Sequence, residues 1–136
     1  MMRRSAALIA ASFVLILSLA ACSPKLIPAG WIQMGRAEIG FTVRRAVVPV
    51  APSSPPVKRL IVVALVNDID FIHIRVEFEN GTSFERPGRA ILSPGRDSIV
   101  MDLPGERRKV REVIVQYQNV RQTARRAMVE IWGDPR

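Results

Sequence analysis

The segment Ile72–Glu79 (IHIRVEFE), followed by Asn80-Gly81, is the clearest indication of the fold of this chain. Apolar and polar side chains alternate along it, which predicts a β-strand with one face in a core and the other in solvent. Asn-Gly predicts a tight hairpin with a type I′ turn, because both residues tolerate positive φ. We therefore expect Thr82–Arg86 to return beside the first strand. The side chains expected in the core are Ile72, Ile74, Val76 and Phe78.

The chain on either side of this hairpin has the same β character. Lys58–Val66 is an almost continuous apolar run, typical of a central strand covered on both faces. Pro87-Gly88 predicts a turn ahead of a short apolar piece at Ala90–Leu92. About eight short strands and no helix predict a single antiparallel β-sandwich, with a barrel as the alternative. The predicted strands are Trp31–Ile39, Phe41–Val50, Lys58–Val66, Ile72–Glu79, Thr82–Arg86, Ser98–Leu103, Arg111–Gln118 and Ala127–Trp132.

The N-terminal residues predict an export signal. Two arginines precede an apolar run that is short for a membrane span, and the run closes with Leu19-Ala20-Ala21-Cys22. This ending resembles the lipobox of bacterial lipoprotein precursors, which implies cleavage before Cys22 and lipid attachment to its thiol. The alternatives are a soluble secreted protein cut after Ala20 and a retained transmembrane helix. Ser23 stands where an aspartate would resemble an inner-membrane retention signal, so we expect the periplasmic face of the outer membrane.

These boundaries predict a signal peptide at residues 1–21, a lipidated cysteine and tether at 22–30, and one domain at 31–136. A tether of eight residues, Ser23–Gly30, spans about 26 Å at most, so the domain should lie close to the bilayer. Removing Arg3 and Arg4 with the signal lowers the formal charge from +8 to +6. Outside the cytoplasm a basic surface favours anionic lipid or acidic glycan over nucleic acid. Cys22 is the only cysteine, so its modification would exclude disulfides and thiolate metal sites.

Three groups of residues were considered for chemistry, and each has a simpler structural explanation. His73, the only histidine, would need Ser83 or Ser98 and an orienting carboxylate to act in a hydrolase. The run 67–70 (NDID) has too few oxygen donors for calcium and is typical of a turn. Glu77 and Glu79 share a strand face at a glycosidase-like spacing but without a cleft. We therefore expect no enzyme, no cofactor and no metal.

Basic side chains give the strongest functional indication. One group is Arg107, Arg108, Lys109 and Arg111, and the other is Arg121, Arg125 and Arg126. If the two loops share one end of the sandwich, seven cations would meet and could contact anionic head groups. The alternative is that the arginines protect strand edges from aggregation. Asp102 is expected to pair with Arg107 or Arg108 across the turn at Pro104-Gly105.

Several short motifs resemble a group of small exported bacterial β-sandwich proteins of unknown function that open with Trp-x-x-Leu-Gly. The motifs are Trp31-x-x-Met34-Gly35, Lys58–Val66, Val76-x-Phe78-x-Asn80-Gly81, Asp102-Leu103-x-Gly105-x-Arg107-x-x-Val110 and Ala127-x-Val129-x-Ile131-x-Gly133. The resemblance implies the fold and export and assigns no catalytic residue. We expect Trp31 and Trp132 to be buried at the two ends of the domain, and the glycines to serve bends or turns.

The function that fits these observations is that of a lipid-anchored, non-enzymatic envelope module that contacts the membrane, a glycan or another envelope protein. The alternative is a small carbohydrate- or ligand-binding β-sandwich domain. That alternative requires Trp31, Trp132 or Tyr117 to be exposed beside a concavity.

Overall fold

The structure, a computed structural model, describes residues 26–40, 44–120 and 127–136. These residues form two four-stranded antiparallel sheets, ordered β1-β8-β3-β6 and β2-β7-β4-β5. The prediction of an all-β antiparallel sandwich is confirmed, since the strands make two facing sheets rather than one closed sheet. The strands are β1 (Ile32–Ile39), β2 (Arg45–Pro49), β3 (Arg59–Leu65), β4 (Ile69–Phe78), β5 (Ser83–Leu92), β6 (Ser98–Asp102), β7 (Val110–Val120) and β8 (Ala127–Asp134).

Strand β3 is central, as its apolar run predicts, and pairs with both β8 and β6. Leu60 and Val62 face the main core between the sheets. Ile61 and Val63 belong to a second cluster with Trp31, on the outer face of the first sheet. A strand covered on both faces gains from apolar side chains at every position, which accounts for the absence of alternation in this segment.

The alternation expected in β4 is wrong at Ile72, whose side chain is 39 % exposed while Phe71 and Ile74 are buried. The register of β4 shifts between Phe71 and His73 against both neighbouring strands. A bulge of this kind changes which face the following residues point to. The core of β4 is therefore formed by Ile69, Phe71, Ile74, Val76 and Phe78.

The hairpin at Asn80-Gly81 exists, but its turn is not type I′. Gly81 has φ +87°, whereas Asn80 is not among the non-glycine residues with positive φ. The Gly81 amide donates to the Phe78 carbonyl (3.1 Å), and Asn80 Oδ1 accepts from the Thr82 amide (3.0 Å). This is a type I turn that ends in a left-handed glycine, the three-residue form of hairpin loop.

Strand β5 continues through Pro87-Gly88, where the sequence predicts a turn. Pro87 lies opposite His73, and the register shifts beyond it. Because β5 is an edge strand, a residue without an amide hydrogen can be accommodated there. Gly88 adopts φ +107°, which permits the irregularity without ending the strand.

Two glycines of the short motifs allow close packing rather than turns. A Cβ on Gly35 would lie 2.4 Å from the carbonyl oxygen of Pro49 in β2. One on Gly133 would lie 2.3 Å from Met34 Sδ and 2.7 Å from a Val57 methyl carbon. The expectation of a bend is therefore wrong for Gly133, whereas Gly35 follows a register shift in β1 after Gln33, and Gly105, at φ +83°, occupies a turn.

Candidate functional site

The chain that follows the proposed lipid-attachment residue is fixed to the outer face of the first sheet and, at Ala29, to one end of the sandwich. Cys22 itself lies outside the described residues. Leu26 and Ile27 pack against the outer cluster of Trp31, Ile61 and Val63. The Ala29 carbonyl accepts a hydrogen bond from the Arg136 guanidinium (3.0 Å). The described part of the expected tether, residues 26–30, is thus attached to the domain.

Several loops meet where this segment joins the domain, and we call the region the basal end. It is defined by Ala29, Lys58, Arg107 and Pro135. Arg107 Nη1 donates to the Pro135 carbonyl (3.2 Å), and the Lys58 carbonyl accepts from the Leu103 amide (3.0 Å). Its basic side chains are Lys58, Arg59, Arg107, Arg108, Lys109 and Arg136.

The two tryptophans lie on the outer face of the first sheet, not at separate ends of the domain. Trp31 is buried, and the Arg59 guanidinium lies 5.5 Å from its ring centroid. Trp132 is half-buried against the same cluster, and its Nε1 donates to Glu130. Tyr117 is buried in the main core and donates to the Gly40 carbonyl (3.0 Å). Neither Trp31 nor Tyr117 is exposed for a ligand to stack on.

Ion pairing at the basal end involves the C-terminal strand. Arg59 Nη2 donates to Asp134 Oδ2 (2.8 Å), and Arg136 Nε lies 3.5 Å from Asp134 Oδ1. The hydrogen bond from Arg59 holds the pKa of Asp134 below its ordinary value. Two of the six basal cations, Arg59 and Arg136, therefore pair with the buried carboxylate of Asp134.

Some cations of the first predicted basic group are held by contacts within the domain, and others are free to contact another molecule. Arg108 lies 4.0 Å above the Phe78 ring, and its Nη2 donates to Thr82 Oγ1 (2.6 Å). Lys109 Nζ lies 3.7 Å from Glu79 Oε2, and both side chains are exposed. Arg107 is exposed and forms no ion pair with the described residues. The expected pairing of Asp102 with Arg107 or Arg108 is wrong, because both arginines bind other groups.

Arg111 belongs to a different surface from the rest of its group. It projects from β7 on the outer face of the second sheet, 3.7 Å from Glu77 and 3.8 Å from Glu112. Glu77 and Glu112 lie directly opposite each other in the ladder. Like charges in that position repel, so Arg111 neutralises a pair that would otherwise be unfavourable.

The second predicted basic group, Arg121, Arg125 and Arg126, lies outside the described residues. The strand ends that border it, at Val120 and Ala127, are at the opposite end of the sandwich from Lys109. Strand β7 separates the two ends by about 33 Å. The first basic group and these strand ends therefore lie at opposite ends of the sandwich.

A shallow concavity of about 530 Å³ lies beside the first basic group and is lined by the hairpin tip and the loop before β7. A second, of about 470 Å³, lies on the outer face of the second sheet, at the bulge in β4. Among its lining residues are His73, Arg75, Glu85 and Arg45. We call this second concavity the bulge cleft.

The bulge cleft contains His73 but not the serines considered with it. His73 Nε2 lies 3.8 Å from Glu85. Ser83 lies opposite Glu77 and Ser98 is in the other sheet, and neither lines the cleft. The described residues therefore place a carboxylate near His73 without a hydroxyl nucleophile.

The acidic residues considered for calcium and for glycoside chemistry are held by cations. Asp70 accepts hydrogen bonds from the Arg89 guanidinium, and Glu77 lies 2.7 Å from Arg75 Nε. Glu79 is in the hairpin turn, paired with Lys109. No group of three or more potential metal ligands occurs within the described part of the chain.

Sequence reasoning did not identify Arg45 and Gln116 as lining residues of the bulge cleft. They lie on β2 and β7, opposite each other, with His73 opposite Gln116 on β4. Alternation shows that each could face outward, but it carries no information on which residues of different strands are neighbours. Only the register between strands brings them together.

Comparison with protein families gives a match that covers most of the chain. The family model for a domain of unknown function, DUF2541, matches residues 7–133. Searches of curated proteins and of solved structures find no significant match. In the described residues, no helix has the length and apolar character needed to cross a membrane.

Proposed function

Since the chain belongs to the DUF2541 family of domains of unknown function, we propose its role from its own residues: it is a lipid-anchored envelope protein that works by surface contact. Cys22 carries the lipid, and the domain is held at the periplasmic face of the outer membrane. Its basal end faces the bilayer or an anionic envelope component. The protein is not an enzyme in this proposal, and its partners are anionic lipid, acidic glycan or another envelope protein.

The observation that carries the proposal is that the segment 26–31 is fixed to the domain, by Leu26 and Ile27 on the outer face of the first sheet and by Ala29 at the basal end. Leu26 is four residues after Cys22, so their Cα atoms are at most about 14 Å apart. The Arg136 bond to Ala29 fixes the chain a few residues further on. A lipid on Cys22 would therefore hold the domain at a short distance from the membrane.

Electrostatics favour this orientation. Lys58 and Arg107 form no ion pair among the described residues, and Lys109 is held only by an exposed one. Each cation near an anionic membrane contributes about 1 kcal/mol. Glu79, Asp102 and Glu106 lie nearby and reduce the effect, so we expect lipid attachment to supply most of the affinity. The cations then select the charge of the surface that the domain contacts.

Two experiments test the proposal separately. Membrane fractionation of cells that express the Cys22→Ala protein should show loss of the membrane-bound mature form. If that form stays membrane-bound, the anchor is wrong.

Flotation of the Cys22→Ala protein with anionic vesicles tests the basal surface. Binding should weaken with salt and on neutralising Arg107 and Lys109 together as glutamines. The matched control replaces Arg44 and Arg96, two exposed arginines at the other end of the sandwich. Equal losses in both double variants would show that net charge, not the basal surface, decides binding.

A further inference from the structure

The outer face of the second sheet brings together side chains from three strands at the bulge in β4. One row across the sheet contains Arg45, Gln116 and His73. Neighbouring strands are about 4.8 Å apart, so Arg45 and His73 lie about 10 Å apart on either side of Gln116. All three side chains line the bulge cleft. Polar donors from β2, β7 and β4 thus converge on one small volume.

The next outward row supplies an apolar floor and a carboxylate. It contains Val47, Ile114, Arg75 and Glu85. Ile114 is buried although it belongs to the outer face, and Val47 is 44 % exposed. An apolar strip therefore runs beside the polar row. A flat, partly apolar molecule could cover this strip while its polar groups reach the row beside it.

The charges in the cleft are incompletely satisfied. Arg45 forms no ion pair with the described residues. Arg75 is paired with Glu77, whose Oε1 lies 2.7 Å from its Nε. Glu85 lies 3.8 Å from His73 and 3.9 Å from Arg75. These contacts are long and exposed, so they hold Glu85 weakly. Arg45 and Glu85, which both line the cleft, are therefore available to bind a ligand.

From these observations we propose that the bulge cleft binds a small carboxylate that also carries hydroxyl groups, a sugar acid in chemical class. Arg45 binds the carboxylate, with Gln116 and His73 donating beside it. Glu85 accepts a hydrogen bond from a hydroxyl group, and the apolar side of the sugar ring covers Ile114. This inference goes beyond the proposed function, since it assigns a ligand to a face that takes no part in anchoring.

The chemistry favours an acidic sugar over a neutral one. No tryptophan or tyrosine lines the cleft, so a sugar ring cannot stack on an aromatic side chain there. Charge must then supply the selectivity, and a guanidinium binds a carboxylate in a fixed two-point geometry. The cleft also lies on the second sheet, whereas residues 26–31 cover the outer face of the first. A domain held by its basal end would keep the cleft open to solvent.

The test is calorimetric titration of the full-length lipidated protein in detergent with D-glucuronate. D-Glucose serves as the matched neutral probe, because it has the same ring without the carboxylate. We expect saturable glucuronate binding with a Kd of about 1 mM or tighter, and at least tenfold weaker binding of glucose. Comparable binding of both sugars, or no saturable binding of glucuronate, would overturn the proposal.

Variants locate the site. Arg45→Gln should weaken glucuronate binding about tenfold or more. The control is Arg44→Gln, which removes the same charge from the adjacent exposed position that does not line the cleft. Both positions are exposed, so both proteins should fold, and Gln116→Ala provides a second lining variant. Equal affinity in the two arginine variants, or complete displacement of glucuronate by equimolar inorganic phosphate, would refute a site that recognises a hydroxylated carboxylate.

Discussion

The guanidinium of Arg89 on β5 binds the buried carboxylate of Asp70 on β4 through two nitrogens. Nε lies 3.0 Å from Oδ1, and Nη2 lies 2.6 Å from Oδ2. Gln118 on β7 donates to the same carboxylate at 3.2 Å. One side chain thereby joins three strands of the second sheet, close to the irregular register around Ile72. The run 67–70 that resembles a turn or a cation site in the sequence is, at Asp70, a structural ion pair.

The pair predicts a pH-dependent contribution to stability. The hydrogen bond from Arg89 holds the pKa of Asp70 below its ordinary value, although burial acts in the opposite direction. A lowered pKa in the folded state stabilises the protein above the unfolded value, about 3.9, and the stabilisation is lost as the pH falls through the folded pKa. Asp70→Asn should therefore lower the free energy of unfolding by about 1 to 3 kcal/mol at pH 7.

Urea denaturation at pH 7 and at about pH 3 checks this sign. The difference in the free energy of unfolding between the wild-type protein and Asp70→Asn should be smaller at the lower pH. Asp102→Asn is the control, because Asp102 is exposed and has no ion pair among the described residues. If Asp70→Asn lowers the free energy of unfolding by the same amount at both pH values, the ionised Asp70–Arg89 pair is not the source of the stability.

Gly35 should not tolerate a side chain. Its missing Cβ leaves room for the carbonyl oxygen of Pro49, which is main chain and cannot rotate away. We expect Gly35→Ala to destabilise the fold by about 1 to 3 kcal/mol, as overpacking does in a dense core. Gly40→Ala is the matched control, since a Cβ there would meet no atom within 4 Å. Thermal unfolding of the two proteins measures the difference, and similar melting temperatures would show that β2 can move aside.

Val66 occupies a backbone conformation that disfavours it. Its φ of +78° is unusual for a β-branched residue, and its side chain is 49 % exposed. The left-handed conformation costs about 1 to 2 kcal/mol in an L-residue with a Cβ. Val66→Gly should raise stability by about 0.5 to 1 kcal/mol, because the relief exceeds the added entropy of the unfolded chain.

The same substitution in a regular strand should act in the opposite direction. Val100 in β6 is also exposed (54 %) and is not among the residues with positive φ. Val100→Gly is expected to lower the denaturation midpoint, since glycine weakens strand interiors. If both variants lose stability by similar amounts, the strain assigned to Val66 is absent.

The neighbouring arginines 107 and 108 should behave differently when truncated. Arg108 stacks on Phe78 and bonds Thr82, so Arg108→Ala removes contacts that hold the hairpin tip. We expect a loss of about 1 to 2 kcal/mol in stability. Arg107→Ala, which loses one exposed hydrogen bond to Pro135, should stay within about 0.5 kcal/mol of the wild-type protein. Denaturant titration measures the loss of stability in each variant. Equal losses would show that Arg108 does not stabilise the domain more than Arg107 does.

The strands could be placed from the sequence because their signals are local. Alternation in 74–78, the apolar run of β3 and the Asn-Gly pair each depend on neighbouring residues of one strand. The errors occur where a second strand decides the outcome. Ile72 is exposed because the β4 register shifts against β5 and β7, and Pro87 remains in a strand because β5 is an edge. The local sequence pattern predicts neither the register shift of β4 nor the edge position of β5.

For the candidate sites the division is sharper. A β fold, a basic composition and an acylated Cys22 can be predicted from the sequence, since these follow from residue type and from spacing along one chain. Which cations lie near each other depends on the packing of the strands. The direction of β7 separates Lys109 from Val120 by the length of a strand, and cross-strand register joins Arg45 to His73. Charges interact through space, and distance in space is set by strand direction and register, which a single sequence does not specify.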